Sequence, residues 1–306
     1  MSQQALSRQV LSQQAAAQKT VLITGASSGI GYATAQTLAR AGYTVYASAR
    51  NLEALKPLEQ LGCRSIRLDV TDEHSRLEAV RHIEAQHGAV DVLVNNAGYG
   101  LSGVVEELEL EALRRQFETN VFGLMRLSQL VLPAMRAKGW GRIVNVGSVG
   151  GSFTAPGAGA YHASKYAVEA FSDALRMETR GFGIGVALIK PTGVQTPFAA
   201  TLEGSAPLSA PDSPYRAFAE NSARVTREMF GKNARRAGII APEQVARAIL
   251  SATQARVPRS RYVVGLSGHV YLALRRMLPD RAWDALMASQ FPMNPRAESQ
   301  PRRSAR

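Results

Sequence analysis

Three side chains in the middle of the chain have the types and the spacing needed to move a proton. Tyr161 and Lys165 lie four residues apart in a segment of helical period, so they share one face of the predicted helix. A free tyrosine has a pKa of about 10, but a nearby ammonium group favours the phenolate and lowers that pKa. Ser148 follows the apolar run 143–146, and its hydroxyl is suited to hold a substrate oxygen at the carboxyl end of a strand. We therefore predict proton transfer with Tyr161 as the acid/base.

A glycine-rich segment near the start of the chain predicts a dinucleotide site. The residues Thr24-Gly25-Ala26-Ser27-Ser28-Gly29-Ile30-Gly31 follow an apolar run and precede a helical segment. Glycines allow the backbone to turn tightly and to approach a pyrophosphate, which then lies at the N-terminus of the helix. The spacing is Gly-x3-Gly-x-Gly and not the commoner Gly-x-Gly-x2-Gly, and a purely structural turn is the alternative. The expected cofactor-binding residues are Gly25, Ser27, Ser28, Gly29, Ile30 and Gly31.

The end of the second apolar run indicates which dinucleotide binds. An acidic residue there would bond a ribose 2′-hydroxyl, whereas an arginine suits a 2′-phosphate. The sequence reads Ser48-Ala49-Arg50-Asn51, without a carboxylate before Glu53, and Arg50 lies 19 residues after Gly31. Its planar guanidinium can grip a phosphate and stack on adenine. NADP(H) is therefore the expected cofactor and NAD(H) the less favoured one; an ordinary surface arginine is the competing interpretation.

Short apolar runs alternate with longer amphipathic segments between residues 19 and 190, and this alternation predicts βαβ units. Right-handed crossovers then give an α/β fold with a doubly wound parallel sheet of the Rossmann type and helices on both faces. The expected strands lie in residues 21–23, 44–46, 65–68, 90–94, 142–146, 185–189 and 262–264. The expected helices lie in residues 33–41, 75–86, 110–137, 163–180, 218–229, 242–255, 270–277 and 281–287.

The predicted organisation is a single domain over residues 19–290. A Pro-containing stretch of about 197–240 interrupts the pattern and is expected to be a lid inserted before the C-terminal helices. Phe198, Phe218 and Met229 are its candidate pocket walls, with core packing as the alternative. Residues 1–18 are expected to be a flexible extension and residues 291–306 a basic, disordered tail. For the first C-terminal helix, packing is favoured over a pocket cap, a subunit contact or a contact with a membrane surface.

Composition limits the classes of partner. The 306 residues carry a formal net charge of +12, with basic clusters in residues 216–236 and in the tail. Such charge could attract nucleic acid, anionic lipid or an acidic substrate, but a solvated surface with a disordered tail is favoured. No zinc-finger spacing or RNA-binding motif supports nucleic acid. Because no signal-peptide core and no apolar run of about 18 residues is present, we expect a cytoplasmic protein without a transmembrane segment. Cys63, the single cysteine, cannot form an internal disulfide and is expected to pack as a small apolar residue, and the five histidines have no metal-ligand spacing.

These motifs together resemble those of the short-chain dehydrogenase/reductase family over roughly residues 19–197. The matching pieces occur in the family's order and are the loop 24–31, Asp69, Asn95-Asn96-Ala97-Gly98, Asn120, Ser148 and Tyr161-x3-Lys165. The resemblance implies that Tyr161 is the acid/base and that Lys165 both lowers its pKa and binds the nicotinamide ribose. It also implies that Ser148 positions the carbonyl, that Asn120 completes a proton relay through water, and that the chemistry needs no metal.

Further cofactor contacts are implied by the same resemblance. Asp69 would meet the adenine ring, with Val70 beside it, while Asn96, Ala97 and Gly98 would support the central strands and line the cofactor. After the sixth strand the family has Pro-Gly before a Thr that contacts the carboxamide, whereas this chain has Pro191-Thr192-Gly193-Val194-Gln195-Thr196. The contacts expected from Pro191, Gly193, Val194 and Thr196 therefore depend on whether the displaced glycine preserves the turn.

A finer resemblance concerns the substrate. The run Asn95-Asn96-Ala97-Gly98-Tyr99-Gly100, the lid and the ending 262–281 look similar to the hydroxysteroid and retinol dehydrogenase-like branch, which implies a bulky apolar alcohol or ketone. One alternative is an acyl-thioester (3-oxoacyl) reductase, in which the basic cluster 216–236 meets an acidic carrier. Another is a non-catalytic NADP-binding sensor. The family also implies a homodimer or homotetramer formed through the helices 110–137 and 163–180.

Overall fold

A computed structural model describes residues 19–198, 212–231 and 238–291. Within these residues, seven parallel strands form one sheet in the order β3-β2-β1-β4-β5-β6-β7. The strands are β1 Thr20–Ile23, β2 Thr44–Ala49, β3 Arg64–Arg67, β4 Val92–Asn95, β5 Gly141–Val146, β6 Ile184–Pro191 and β7 Arg261–Val264. Strand order reverses between β1 and β4, so the carboxyl ends of these strands border the crevice where open α/β sheets bind ligands. The predicted Rossmann-type fold is confirmed.

Helices cover both faces of the sheet. In the described residues they are α1 Gly29–Arg40, α2 Lys56–Glu59, α3 Glu73–His87, α4 Leu110–Phe117, α5 Gly123–Lys138, α6 Gly159–Thr179, α7 Arg216–Phe230, α8 Pro242–Gln254, α9 Leu266–Met277 and α10 Asp280–Gln290. The predicted helix 110–137 is helical along its length, but a π-helical turn, Glu118–Phe122, separates α4 from α5. The apolar period does not reveal this turn, because a single π turn changes the register by only one residue.

Two apolar layers enclose the sheet. Val21 and Ile23 of β1 face the layer that α1 and α8 complete, and Leu22 faces the layer that α3 and α5 complete. The strands β1, β4 and β5 are buried along their whole length, which explains why their sequences are nearly continuous apolar runs. Cys63 lies in the first layer, as predicted, and burial raises the pKa of its thiol to about 11.

Some predicted features lie outside the described residues. These are the extension 1–18, the tail from residue 292 onward, and residues 199–211 and 232–237 of the lid. The described part of the lid contains α7, close to the predicted helix 218–229. The two helices predicted on either side of Pro279 are α9 and α10. Among the helices of the described chain, none combines the length and the apolar content that crossing a membrane requires.

Candidate active site

A cavity of about 1280 Å³ opens at the carboxyl ends of the strands. Most of the residues that the sequence analysis selected line it, although they come from separate segments of the chain. They are Gly25, Ser27, Ser28, Gly29, Ile30, Arg50, Asp69, Val70, Asn96, Ala97, Gly98, Ser148, Tyr161, Lys165, Pro191, Gly193, Val194 and Thr196. Gly31 and Asn120 do not reach the cavity surface and lie in the layer behind it.

The glycine-rich loop brings backbone groups to one end of the cavity. Gly25 and Gly29 have φ angles of +66° and +56°, a conformation that favours glycine. A Cβ atom on Gly31 would lie 2.3 Å from the carbonyl oxygen of Gly25, so α1 packs directly against the loop. Ser28 begins α1 without a side-chain cap, and the first turn has no acidic residue. Because the N-terminal N–H groups of a helix attract anions, this end of the cavity fits a pyrophosphate.

Asn96 holds the loop in place from behind. Its side-chain nitrogen donates hydrogen bonds to the carbonyl oxygens of Thr24 at 2.9 Å and Gly25 at 3.1 Å. In return, the Thr24 hydroxyl accepts from the backbone N–H groups of Asn96 and Ala97, each at 2.9 Å. These bonds join the ends of β1 and β4, which is the supporting role that the family resemblance implies.

Arg50 and Asp69 lie near each other on the side of the cavity formed by β2 and β3. The Arg50 side chain is exposed at the end of β2 and lines the cavity. Burial raises the pKa of Asp69, but hydrogen bonds from the Thr71 amide and hydroxyl, with the charges of Arg50 and Arg76, lower it more. The carboxylate is therefore held in its charged form below its usual pKa range. An exposed guanidinium at this position fits an added phosphate on the adenosine ribose.

Ser148, Tyr161 and Lys165 meet at the centre of the cavity. The Ser148 hydroxyl accepts a hydrogen bond from the Gly150 amide at 3.0 Å and lies next to the Tyr161 hydroxyl. Lys165 is buried one helical turn after Tyr161, and its ammonium group lies 5.8 Å from the centre of the Tyr161 ring. The Lys165 Nζ atom donates to the carbonyl oxygen of Val146 at 2.9 Å, which anchors the side chain to the end of β5.

Burial changes the pKa values of two of these groups in opposite directions. It raises the pKa of Tyr161 to about 12, and the neighbouring Ser148 hydroxyl opposes that rise only in part. It lowers the pKa of Lys165 to about 8. The expectation from the sequence that the Tyr161 pKa is lowered is therefore wrong. Desolvation disfavours the phenolate, and the sequence pattern contains no measure of it.

Asn120 lies in the π-helical turn, where its side chain is bonded to protein groups. Its oxygen accepts from the Tyr99 amide at 3.0 Å, and its nitrogen donates to the Tyr99 carbonyl at 2.9 Å and to the Ser164 hydroxyl at 3.0 Å. A Cβ atom on Gly98 would lie 3.0 Å from the Asn120 oxygen and 3.8 Å from Lys165 Nζ. Asn120 and Lys165 thus approach the same glycine, and a water relay between them stays a prediction.

The segment after β6 closes the cavity over the glycine-rich loop. The Thr196 side chain lies against Gly29, where an added Cβ atom would be only 3.0 Å away. Gly193 accepts a hydrogen bond from the Ile240 amide at 2.9 Å. A Cβ atom on Gly193 would lie 2.2 Å from Ile239 Cδ1. The displaced glycine therefore permits a close contact with the segment before α8 and keeps Thr196 at the loop.

The other end of the cavity is lined by aromatic and other apolar side chains, most of which could not be predicted from the sequence. The Phe153 ring lies 5.6 Å from that of Tyr271 and 5.3 Å from that of Trp283, while Phe198 lies 5.4 Å from Tyr161. The apolar side chains that line this end are Phe153, Phe198, Met229, Phe230, Tyr271, Met287 and Phe291. Phe198 and Met229 were predicted pocket walls. The others come from four separate segments of the chain, represented by Phe153, Phe230, Tyr271 and the pair Met287 and Phe291, and no single spacing in the sequence joins these segments.

Two other predicted features have a limited role in the described site. Phe218, the third candidate wall, is buried beside Gly157. In the basic cluster, Arg216 pairs with Glu220 at 3.0 Å and Arg224 with Glu228 at 2.8 Å, while 232–237 lies outside the described residues. Across the described ranges, no group of three or more His, Cys, Asp or Glu side chains is arranged to hold a metal ion.

Sequence comparisons identify relatives of the chain. The family model described as short chain dehydrogenase matches residues 19–206. The probable short-chain type dehydrogenase/reductase VdlC of Helicobacter pylori is 35% identical over 265 residues, which cover 87% of this chain and 95% of the relative. The 3-ketodihydrosphingosine reductase of Bacteroides thetaiotaomicron is 43% identical over 179 residues, which cover 58% of this chain and 65% of that protein.

Solved structures show the same architecture. A short-chain dehydrogenase from Streptomyces avermitilis aligns with a TM-score of 0.73 and 34% identity, covering 89% of this chain and 94% of the other. The closed form of a serine dehydrogenase complexed with NADP+ aligns with a TM-score of 0.69 and 27% identity, covering 81% of this chain and 95% of the other. Both similarities cover more than four fifths of this chain and therefore extend well beyond the glycine-rich loop.

Proposed function

Because the chain belongs to the short-chain dehydrogenase/reductase family, we propose that it transfers a hydride between NADP(H) and a bulky apolar ketone or alcohol. One observation carries this proposal. The Ser148 and Tyr161 hydroxyls, with Lys165 one turn away, line the same cavity as the loop that fits a pyrophosphate and as an aromatic wall formed by Phe153, Phe198 and Tyr271. A substrate whose oxygen binds at these hydroxyls would place its apolar part against that wall.

The chain's own residues supply binding and proton transfer. Ser148 and Tyr161 hold the substrate oxygen. The Tyr161 hydroxyl donates its proton to that oxygen during reduction, and the Tyr161 phenolate accepts a proton from the alcohol during oxidation. Lys165, with a pKa of about 8, is mostly charged at neutral pH and stabilises the phenolate that results. Asn120 fixes the π turn beside them. A bound nicotinamide supplies or accepts the hydride.

Support for NADP(H) comes from Arg50. Its charge lies at the end of β2, where the chain has no acidic residue to bond a ribose 2′-hydroxyl before Glu53. The residues that would hold the rest of the cofactor are the loop 25–31, Asp69 and Val70, Asn96 to Gly98, Lys165, and Pro191 to Thr196. The structural relative that binds NADP+ is consistent with this preference.

Support for a bulky apolar substrate comes from the aromatic wall. Phe153, Tyr271 and Phe198 line the cavity, and aromatic linings favour large apolar ligands. The Bacteroides relative is named as a reductase of a sphingoid ketone, which has a long apolar part. The acyl-carrier alternative has less support, because glutamates pair with two of the arginines in its described basic surface.

The decisive experiment replaces the proton-transferring hydroxyl. We expect Tyr161→Phe to lower kcat on apolar ketones by roughly 10²- to 10⁴-fold, because positioned general acids contribute that much. Its dissociation constant for NADPH should remain that of the wild type. Turnover is followed by NADPH absorbance with steroid, retinoid, aliphatic and acyl-thioester carbonyls, and cofactor binding by calorimetry.

Tyr166→Phe is the matched control, because Tyr166 lies on the same helix but is exposed. It should keep wild-type turnover. Full turnover in Tyr161→Phe would refute the acid/base assignment. Tight NADPH binding without turnover of any carbonyl by the wild type would favour the sensor alternative.

A further inference from the structure

Helix α9 has two faces with different surroundings. Ser267 and Tyr271 line the cavity on one face. On the other face Leu266, Val270 and Met277 are 81%, 50% and 78% exposed. Their spacing of four and seven residues places them in one stripe along the helix axis, with exposed Ala273 between them. An exposed apolar stripe of this kind marks an interaction surface.

The charge beside the stripe is positive. Helix α9 contains Arg275, Arg276 and His269 and no acidic residue. Arg275 is bound to Asp280 at 2.7 Å and lies over the Trp283 ring. Arg276 is exposed and, among the described residues, forms no ion pair. The apolar stripe and the free cation together match a surface with negative headgroups over an apolar layer.

We infer that this face of α9, formed by Leu266, Val270, Met277 and Arg276, docks on an anionic lipid membrane surface. A helix of 12 residues is roughly 18 Å long and 10 Å wide, so one face covers on the order of 200 Å². A stable protein interface needs about 800 Å² from each partner. At a lipid interface a single helix face can insert by itself, and its binding adds attraction to anionic headgroups to the burial of its apolar area.

The position of α9 suggests what this docking would do for the enzyme, namely bring the substrate cavity close to the lipid. The face of α9 that lines the cavity and the face that carries the apolar stripe are separated only by the width of the helix. Docking through the stripe would therefore place the aromatic end of the cavity next to the lipid. Apolar ketones and alcohols partition into that lipid. This purpose rests on the proposed function, but the docking itself does not, because lipid binding is measured without any substrate.

The test is sedimentation of the full-length protein with vesicles of phosphatidylcholine alone or with phosphatidylglycerol added. The wild type should sediment with the anionic vesicles and far less with the neutral ones, and added salt should release it. Leu266→Ser/Val270→Ser/Met277→Ser should reduce binding to anionic vesicles at least about tenfold, because three apolar side chains no longer insert. Arg276→Glu should reduce it by roughly tenfold while leaving binding to neutral vesicles unchanged.

The matched control is Leu52→Ser/Val105→Ser/Val257→Ser, which removes three exposed apolar side chains elsewhere on the surface. It should bind vesicles as the wild type does. NADPH binding and thermal unfolding verify that each variant is folded. Equal binding to both vesicle types by the wild type, or an equal loss in the control, would overturn the inference. So would a fall in oligomeric mass in the stripe variant without a change in vesicle binding, because a second copy would then cover the stripe.

Discussion

Individual side chains at the cavity differ in their burial and in the number of hydrogen bonds that they form with the protein. Lys165 and Asn120 are buried and bonded to backbone groups of neighbouring elements. Arg50 is exposed, so its charge is available to a ligand. His162, which follows Tyr161 directly, is buried against the Phe153 ring and lies 3.1 Å from the Thr154 hydroxyl. These differences determine which property each substitution should change.

Replacing Arg50 should change cofactor choice and not catalysis. A charge-assisted hydrogen bond to a phosphate contributes about 1.5–3 kcal/mol, so Arg50→Ala should raise KM for NADPH by roughly 10- to 100-fold. KM for NADH and kcat with either cofactor should stay close to wild type. Arg67→Ala is the control, because Arg67 is exposed at the end of the adjacent strand and does not line the cavity. Equal losses with NADPH and NADH would contradict the assigned role.

His162 should make the fold sensitive to acid. Burial lowers its pKa to about 4, from an ordinary value of 6.5. Between these pH values the unfolded chain binds a proton that the native state does not, so stability falls as pH falls from 6.5 toward 4. The shift corresponds to about 3 kcal/mol. Urea unfolding at pH 7 and pH 4 should show a smaller acid loss in His162→Gln than in the wild type, with the exposed His74→Gln unchanged. Equal acid losses in all three proteins would contradict this assignment.

At the scale of elements, a buried ion network joins the strands beside the site. Lys190 of β6 is fully buried, and its Nζ atom donates to Glu169 of α6 at 2.6 Å and to the Ser152 hydroxyl. The other Glu169 oxygen accepts from Arg261 of β7 at 2.9 Å. Ser152 follows the turn that begins at Ser148. The network therefore ties that turn to α6, the helix that carries Tyr161 and Lys165.

Replacing Lys190 of this network should lower the free energy of unfolding. Lys190→Met removes the shortest partner of Glu169 while Arg261 still pairs with that carboxylate. The loss of one hydrogen bond between charged groups should therefore cost about 1.5–3 kcal/mol of unfolding free energy. The control is Lys56→Met, which breaks an exposed pair with Glu53 and should cost less than about 1 kcal/mol. Urea denaturation measures both. A loss in Lys190→Met as small as that of the control would show that the network contributes little.

At the scale of the whole molecule, apolar side chains remain exposed on the long helices. Tyr166 and Phe171 of α6 and Phe122 of the π turn are 45%, 38% and 50% exposed. Exposed apolar side chains on long helices are candidate subunit contacts. The homodimer or homotetramer that the family resemblance implies stays a prediction, and this surface is where we expect it to form.

Light scattering tests that assembly. The wild type should have two or four times the mass of one 32.9 kDa chain. Tyr166→Glu/Phe171→Glu should reduce that mass, because charges in a desolvated interface are unfavourable. Leu52→Glu, which is also exposed but lies away from these helices, should not. A monomeric wild type would refute the prediction.

The fold class and most of the candidate site could be predicted from the sequence because they depend on local features. Apolar runs identify buried parallel strands, the glycine spacing identifies the loop before α1, and the spacing of Tyr161 and Lys165 places them on one helical face. The order of strands in a right-handed doubly wound sheet then brings their carboxyl ends together. For this reason the selected residues line one cavity.

Other features exist only after the chain has packed. The rise in the Tyr161 pKa depends on desolvation by distant segments, and the pairing of Lys190 with Glu169 depends on where β6 meets α6. The aromatic end of the cavity brings Phe153 next to Tyr271 and Trp283. Which apolar residues of α9 stay exposed depends on which face of that helix packs against the cavity. Burial and long-range contact set the energies of these groups, and periodicity along a sequence contains neither.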